Sequence, residues 1–198
     1  MSPRSESANQ AIREKRRTSI IEAAIDVFSS HGYHSATINS IARQAGISKG
    51  LVYSYFESKD SLLNSILHEV IDESAELVTQ ILAAKTTREK VLIMLQISFD
   101  YIEERPKLMR LLLGLSLQPE AVMVIQGQVG ERTKEMMGFL EQLLHSAGIP
   151  AVKEETYLLG AALDGMALHY LFFINDPDYP WQKIKATFIE NTLKHFNL

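Results

Sequence analysis

Apolar residues along most of this chain return at intervals of three and four, the spacing of helices with one buried face. Runs that alternate apolar with polar residues between turn dipeptides are missing. The spacing predicts a first helix from about Arg13 to Ser30, with Ile21, Ala24, Ile25 and Phe28 on one face and Gly32 as a left-handed stop. Thr37 caps a short second helix through Gln44, Ala45-Gly46-Ile47 makes a tight turn, and Ser48 caps a third helix ending near Phe56. Ser58, with Asp60 in the first turn, opens a long fourth helix to about Ala83. Its Leu62, Leu63, Ile66, Leu67, Val70, Leu77, Ile81 and Leu82 favour one side. A fifth helix spans about Thr87 to Glu104, and Pro106 and Pro119 suit the first turns of a sixth and of a seventh reaching about Ser146. Gly148 and Pro150 interrupt the chain before an eighth helix, about Glu154 to Ile174. Asn175-Asp176-Pro177-Asp178 then separates it from a ninth, about Pro180 to Phe196. The expected fold class is all-α with about nine helices: a disordered arm over residues 1–12, a three-helix head over 13–57 and a helical body over 58–198.

The eighth helix is apolar almost throughout from Tyr157 to Ile174, close to the length of a membrane span. Asp164 and His169 fall inside it, flanking basic anchors are lacking, and Gly160, Ala161, Ala162, Gly165 and Ala167 suit close helix contact instead. A helix apolar on all sides is buried on all sides. In a chain of this size one face then packs on the body and the other on a second copy. Ala161, Gly165, Leu168 and Phe172, with Trp181, Ile184 and Phe188 of the ninth helix, are the expected dimer interface.

Composition narrows the function classes. With no cysteine there is neither a thiolate metal site nor a catalytic thiol, and the polar start MSPRSESANQ is no signal peptide, so a cytoplasmic protein is expected. The formal net charge of −4 argues against nucleic acid only until its distribution is inspected. Residues 1–60 carry eight Lys or Arg against six Asp or Glu, and the excess is densest at Arg13, Lys15, Arg16 and Arg17. His68 with Asp72 has ligand spacing on one helical face, but such a pair is ordinary on an amphipathic helix, and Glu141 to His145 has the wrong spacing for a di-iron bundle. Nucleophile elbows and phosphate-binding glycine loops are absent. No residue is assigned to catalysis, to a metal or to a cofactor, and the chain is not expected to be an enzyme.

The informative stretch is Thr37 to Phe56, TINSIARQAGISKGLVYSYF, laid out as a helix-turn-helix. Ala42 and Ala45 are small where two helices cross, Gly46 tolerates the positive φ of the turn, and Ile41, Ile47, Val52 and Phe56 are spaced to form a miniature core. Ser48, Lys49, Gly50, Tyr53, Ser54 and Tyr55 remain outward, on the helix that would enter a groove. By spacing alone the same stretch also serves as an αα-hairpin of a helical bundle used for protein contacts.

From Ile20 to Leu63 the chain resembles the head of the TetR family of transcriptional regulators. The resemblance rests on IIEAAIDVF, the HGY turn, Thr37, IARQAGISKG, the ending Tyr53-Ser54-Tyr55-Phe56 and Ser58-Lys59-Asp60. It covers about a quarter of the chain; the remaining helices resemble the family only in number and order. It implies that Thr37, Ser48, Lys49, Tyr53, Tyr55 and Lys59 meet phosphates or base edges of double-stranded DNA and that Gly50 marks close approach. Ser54 shares that exposed side. Leu51 stands where members often have Thr or Ser, so a polar contact gives way to an apolar one, such as a thymine methyl. The resemblance also implies a homodimeric repressor released from a pseudo-palindromic operator by an apolar or amphipathic small molecule. For the lining of such a site the sequence offers Met94, Ser98, Phe99, Ile102, Leu111, Leu115, Met123, Gln126, Met166, His169 and Tyr170.

Overall fold

The computed structural model describes the chain from Glu6 to Leu198, apart from the side chains of residues 6, 7, 119–121, 123–126, 128, 129 and 132. Among the described residues there are nine helices and no strand: α1 (Glu6–His31), α2 (Ile38–Gln44), α3 (Lys49–Tyr53), α4 (Lys59–Ala83), α5 (Thr87–Glu104), α6 (Pro106–Ser116), α7 (Pro119–Ser146), α8 (Val152–Phe173) and α9 (Trp181–His195). Local chemistry sets most of these ends. The Thr37, Ser58 and Thr86 side chains each accept from the backbone N–H three residues on, and in each case the residue at that third position bonds back to the cap. Each such cap contributes about 1 kcal/mol. Pro106 and Pro119 begin α6 and α7, where a missing N–H is no loss.

Two ends differ from expectation. α1 starts at Glu6 rather than near Arg13, so residues 6–12 of the expected arm are helical, while residues 1–5 lie outside the described residues. Between Glu6 and His31 there is neither Pro nor Gly to stop the helix, and polar helix formers extend it without needing a buried face. α3 ends at Tyr53, with Ser54 as its C-cap, instead of reaching Phe56.

The core is organised differently from the sequence pattern. Ile20, Ala24, Phe28, Ile41, Val52 and Phe56 of the head are buried together with Leu62, Leu63, Ile66 and Leu67 of α4 and with Leu108, Leu111 and Leu115 of α6. The boundary expected at residue 57 therefore divides the chain but not the core, because α6 packs on α1 and closes the head from the body side. A second cluster joins the end of α4 to α5, α7, α8 and α9 through Ile81, Val91, Leu95, Leu144, Leu159 and Leu193. A third, smaller one holds Phe99, Ile102, Ala167 and Trp181.

Candidate nucleic-acid interface

The helix-turn-helix is built around Gly46, which takes φ +65. With that left-handed residue in place, Ile47 N–H donates to Ala42 O at 3.0 Å and the chain reverses into Ser48, whose hydroxyl accepts from Leu51 N–H at 3.2 Å. Ile41, Ala42, Val52 and Phe56 are buried beneath. Outward, Ser48, Lys49, Gly50, Tyr53 and Ser54 are all exposed, and Thr37 at the start of α2 is exposed beside them. The Lys49 ammonium lies 5.7 Å from the Tyr53 ring centroid, so a cation and a phenol share one edge of α3. A side chain built at Gly50 would meet nothing within the protomer, which leaves the backbone there open to close approach. Leu51 and Tyr55 are only partly exposed; Tyr55 packs on the head core with the Arg13 guanidinium 5.8 Å from its ring centroid.

Lys59 is placed elsewhere than the resemblance implies. Its Nζ donates to the carbonyls of Tyr33 at 2.8 Å, His34 at 3.2 Å and Ala36 at 3.1 Å, and sits 4.5 Å from the Tyr33 ring centroid. All three donors are spent tying α4 to the α1–α2 turn, so none is left over for a phosphate in this conformation. Tyr33 completes the clamp by donating to Asp60, and burial with that hydrogen bond and charge raises its pKa far above the usual phenol value. The basic stretch of α1 is split as well. Arg17 pairs with Glu69 of α4, whereas Arg13, Lys15 and Arg16 remain exposed. These three join the interface as candidates that the helix-turn-helix pattern does not single out; the charge density from Arg13 to Arg17 was their signal.

The body holds a cavity of about 280 Å³ between α4, α5, α6, α7 and α8. Val70, Ser74, Leu77, Val78 and Ile81 of α4 face Met94, Ile97, Ser98, Tyr101 and Ile102 of α5, with Met109, Met136, Leu163 and Asp164 completing the wall. The head is linked to this region through Asp26 of α1, which accepts from Gln44 Nε2 of α2 at 3.0 Å and from Lys107 Nζ of α6 at 2.7 Å.

Residues 20–66 match the family described as bacterial regulatory proteins, tetR family. Over that segment the chain is similar to tetR-family regulators. It is 35% identical to the HTH-type transcriptional activator FasR of Mycolicibacterium smegmatis over 96 residues, which is 48% of this chain and 44% of that protein's length. Its likeness to the probable acrEF/envCD operon repressor of Escherichia coli runs over 202 residues at 27% identity, covering 92% of this chain and 87% of the other. The structure of the transcriptional regulator FadR from Bacillus subtilis in complex with stearoyl-CoA has the same fold: TM-score 0.74 and 22% identity over 90% of this chain and 98% of that one.

In this fold the residues that the sequence offers for a ligand site separate. Met94, Ser98 and Ile102 line the cavity. Phe99 is instead fully buried, edge-on to Trp181 and Phe188 at 5.6 Å each, because it lies one residue round the helix from the lining face. Leu111 and Leu115 belong to the core beneath α1. Met166 faces a groove between α8 and α9, Tyr170 packs on Trp181 at 4.6 Å, and exposed His169 bonds the Tyr179 hydroxyl at 3.0 Å. The side chains of Met123 and Gln126 lie outside the described residues. No α4 residue is among those the sequence offers for the lining, because the apolar face of that helix reads as ordinary core.

The interface residues of α8 and α9 separate too. On α8, Ala161, Gly165, Leu168 and Phe172 form an exposed stripe, Leu168 at 62% and Phe172 at 79% exposure, and a side chain at Gly165 would meet nothing. Trp181, by contrast, is buried in the chain's own third cluster, whereas Ile184 and Phe188 each keep part of their surface beside the groove, Phe188 while packing on that cluster. The large aromatic rings are drawn inward by Phe99 and Tyr170, where more apolar surface is buried than at the rim. Among the described residues no helix is long and apolar enough to cross a membrane, and no group of three His, Cys, Asp or Glu is arranged for a metal.

Proposed function

We propose that the chain acts as a homodimeric repressor in the cytoplasm, binding a pseudo-palindromic DNA operator through α3 and leaving it when a small apolar or amphipathic molecule enters the cavity of the body. The observation that carries the reading is the exposed row Ser48, Lys49, Gly50, Tyr53 and Ser54, a set of donors around a bare backbone on the helix that follows Gly46. Thr37, Tyr55, Arg13, Lys15 and Arg16 extend it toward the flanking phosphates. The exposed α8 stripe supports dimerisation by an isologous helix pair. The relatives include both a named activator and a named repressor, and the repressor is the one matched over most of the chain. The stearoyl-CoA bound by the Bacillus subtilis FadR supports an apolar ligand here.

Release needs no contact between ligand and DNA. α4 runs from the Lys59 clamp at the head to Ile81 at the cavity, and α6 reaches Asp26 of α1 through Lys107. A ligand that favours one tilt of these helices by about 1–3 kcal/mol shifts operator affinity about 5- to 150-fold. The test is selection of bound fragments from genomic DNA by the purified protein, followed by titration of the selected duplex at several salt concentrations. A steep fall of affinity with salt is expected. Retention of no sequence above background would overturn the reading.

A further inference from the structure

We propose that the body cavity is selective for a small cationic amphiphile, an amine or quaternary ammonium with a short apolar group, whose charge rests at Asp164. The proposal builds on the reading of this cavity as the effector site and adds the chemistry of the effector. Among its described lining residues Asp164 is the one charged side chain; Lys, Arg and His are absent from the wall. Asp164 stands on α8 at the mouth, exposed to solvent on one side and with no hydrogen bond or ion pair, and its partial burial against the apolar wall raises its carboxyl pKa above the usual value. It is an uncompensated acid at the edge of an apolar space, a position a positive charge can satisfy.

The two serines of the wall point the same way. Ser74 donates its hydroxyl proton to Val70 O at 2.8 Å and Ser98 donates to Met94 O at 2.9 Å, so both turn only lone pairs toward a ligand. Among the described residues the wall therefore offers acceptors, one negative charge and a single free donor, the buried Tyr101 hydroxyl, but no cation. A carboxylate or phosphate head group placed at Asp164 would face it with like charge, whereas an ammonium there meets an opposite charge. The apolar remainder fits among Leu77, Ile97, Met109 and Met136, where flexible thioethers adapt to shape. A volume of about 280 Å³ lies at the small end of ligand pockets, which limits that remainder to a short chain or a compact ring system.

The experiment is calorimetric titration of the full-length protein at neutral pH with three probes of equal chain length, octyltrimethylammonium, octanoate and octan-1-ol, each below its micellar range. The cation should bind at least about tenfold more tightly than the carboxylate. In Asp164→Asn, which keeps shape and removes charge, that ratio should fall to within about threefold while octanol binding stays the same. Ser98→Trp, which fills the space, should abolish binding of all three. Octanoate binding as tightly as the cation, or a preference that survives Asp164→Asn, overturns the proposal, and so does octanol binding alone with no gain for the cation. Binding of the cation by Ser98→Trp as by the wild type would overturn the location. Genomic-fragment binding is measured separately, so a regulator with a different effector and a chain that binds no DNA give distinct results.

Discussion

α3 and α8 each leave a face uncovered, and the two faces carry opposite chemistry. On α3 the exposed residues are a lysine, a tyrosine, two serines flanking the helix and a glycine; on α8 they are Leu158, Ala161, Gly165, Leu168 and Phe172. Water alone explains the first face and penalises the second. A contiguous apolar stripe on a helix costs free energy in proportion to its area until another surface covers it, whereas a donor-rich row is at rest in water and gains when it meets an anion. The pair teaches that exposure by itself says little: what matters is which partner removes the cost or adds the gain.

The largest effect is expected where the apolar stripe is broken. Leu168→Asp should convert dimer to monomer in analytical ultracentrifugation while leaving the protomer folded, because Leu168 touches little of its own chain. Operator affinity should then fall on the order of 100-fold as the two heads lose their tether. Gly165→Leu is the sharper probe, since its new side chain has no neighbour within the protomer and any effect must come from a second copy. An intact dimer in both variants would sink the stripe as an interface.

Next comes the clamp. Lys59→Met removes a charged donor from three carbonyls of the α1–α2 turn and should destabilise the fold by about 1.5–3 kcal/mol in thermal melts without DNA. If Lys59 instead melts normally and loses DNA affinity, its ammonium leaves the carbonyls for phosphate. Lys49→Gln makes the opposite case: it should melt like the wild type, weaken binding to every duplex alike, and lower the log–log salt slope by about one. A changed preference at a single base pair would assign Lys49 to base reading instead.

The smallest effect tests the acid at the cavity mouth. A raised folded-state pKa means that Asp164 favours folding in its protonated form, so its contribution is present at low pH and lost as pH rises through the raised value. Ligand-free Asp164→Asn should therefore melt slightly higher than the wild type at neutral pH, with the gap closing as pH falls through the carboxylate range. A variant that melts lower at neutral pH would mean that the ionised carboxylate has a partner.

What the sequence determined by itself was the succession of helices and the helix-turn-helix. Thr37, Gly46, Ser48, Ser58, Pro106 and Pro119 act within one turn of their own position, so their effect can be read without knowing what lies across the molecule. The α8 stripe was legible for a related reason: small and apolar residues at three-and-four spacing make one face whatever covers it. The limits of the α5 lining face were legible only in part, since Met94, Ser98 and Ile102 line the cavity as the sequence offers. Ile97 and Tyr101 line the cavity while Phe99 is core, and residues that close differ by about 100° per step round the axis, a rotation that only the neighbouring helices select. Tertiary structure alone likewise drew Trp181 inward, joined α6 to the head core and turned Lys59 from the surface onto three carbonyls. Each of these depends on which residue far along the chain arrives alongside, and local spacing carries no record of that.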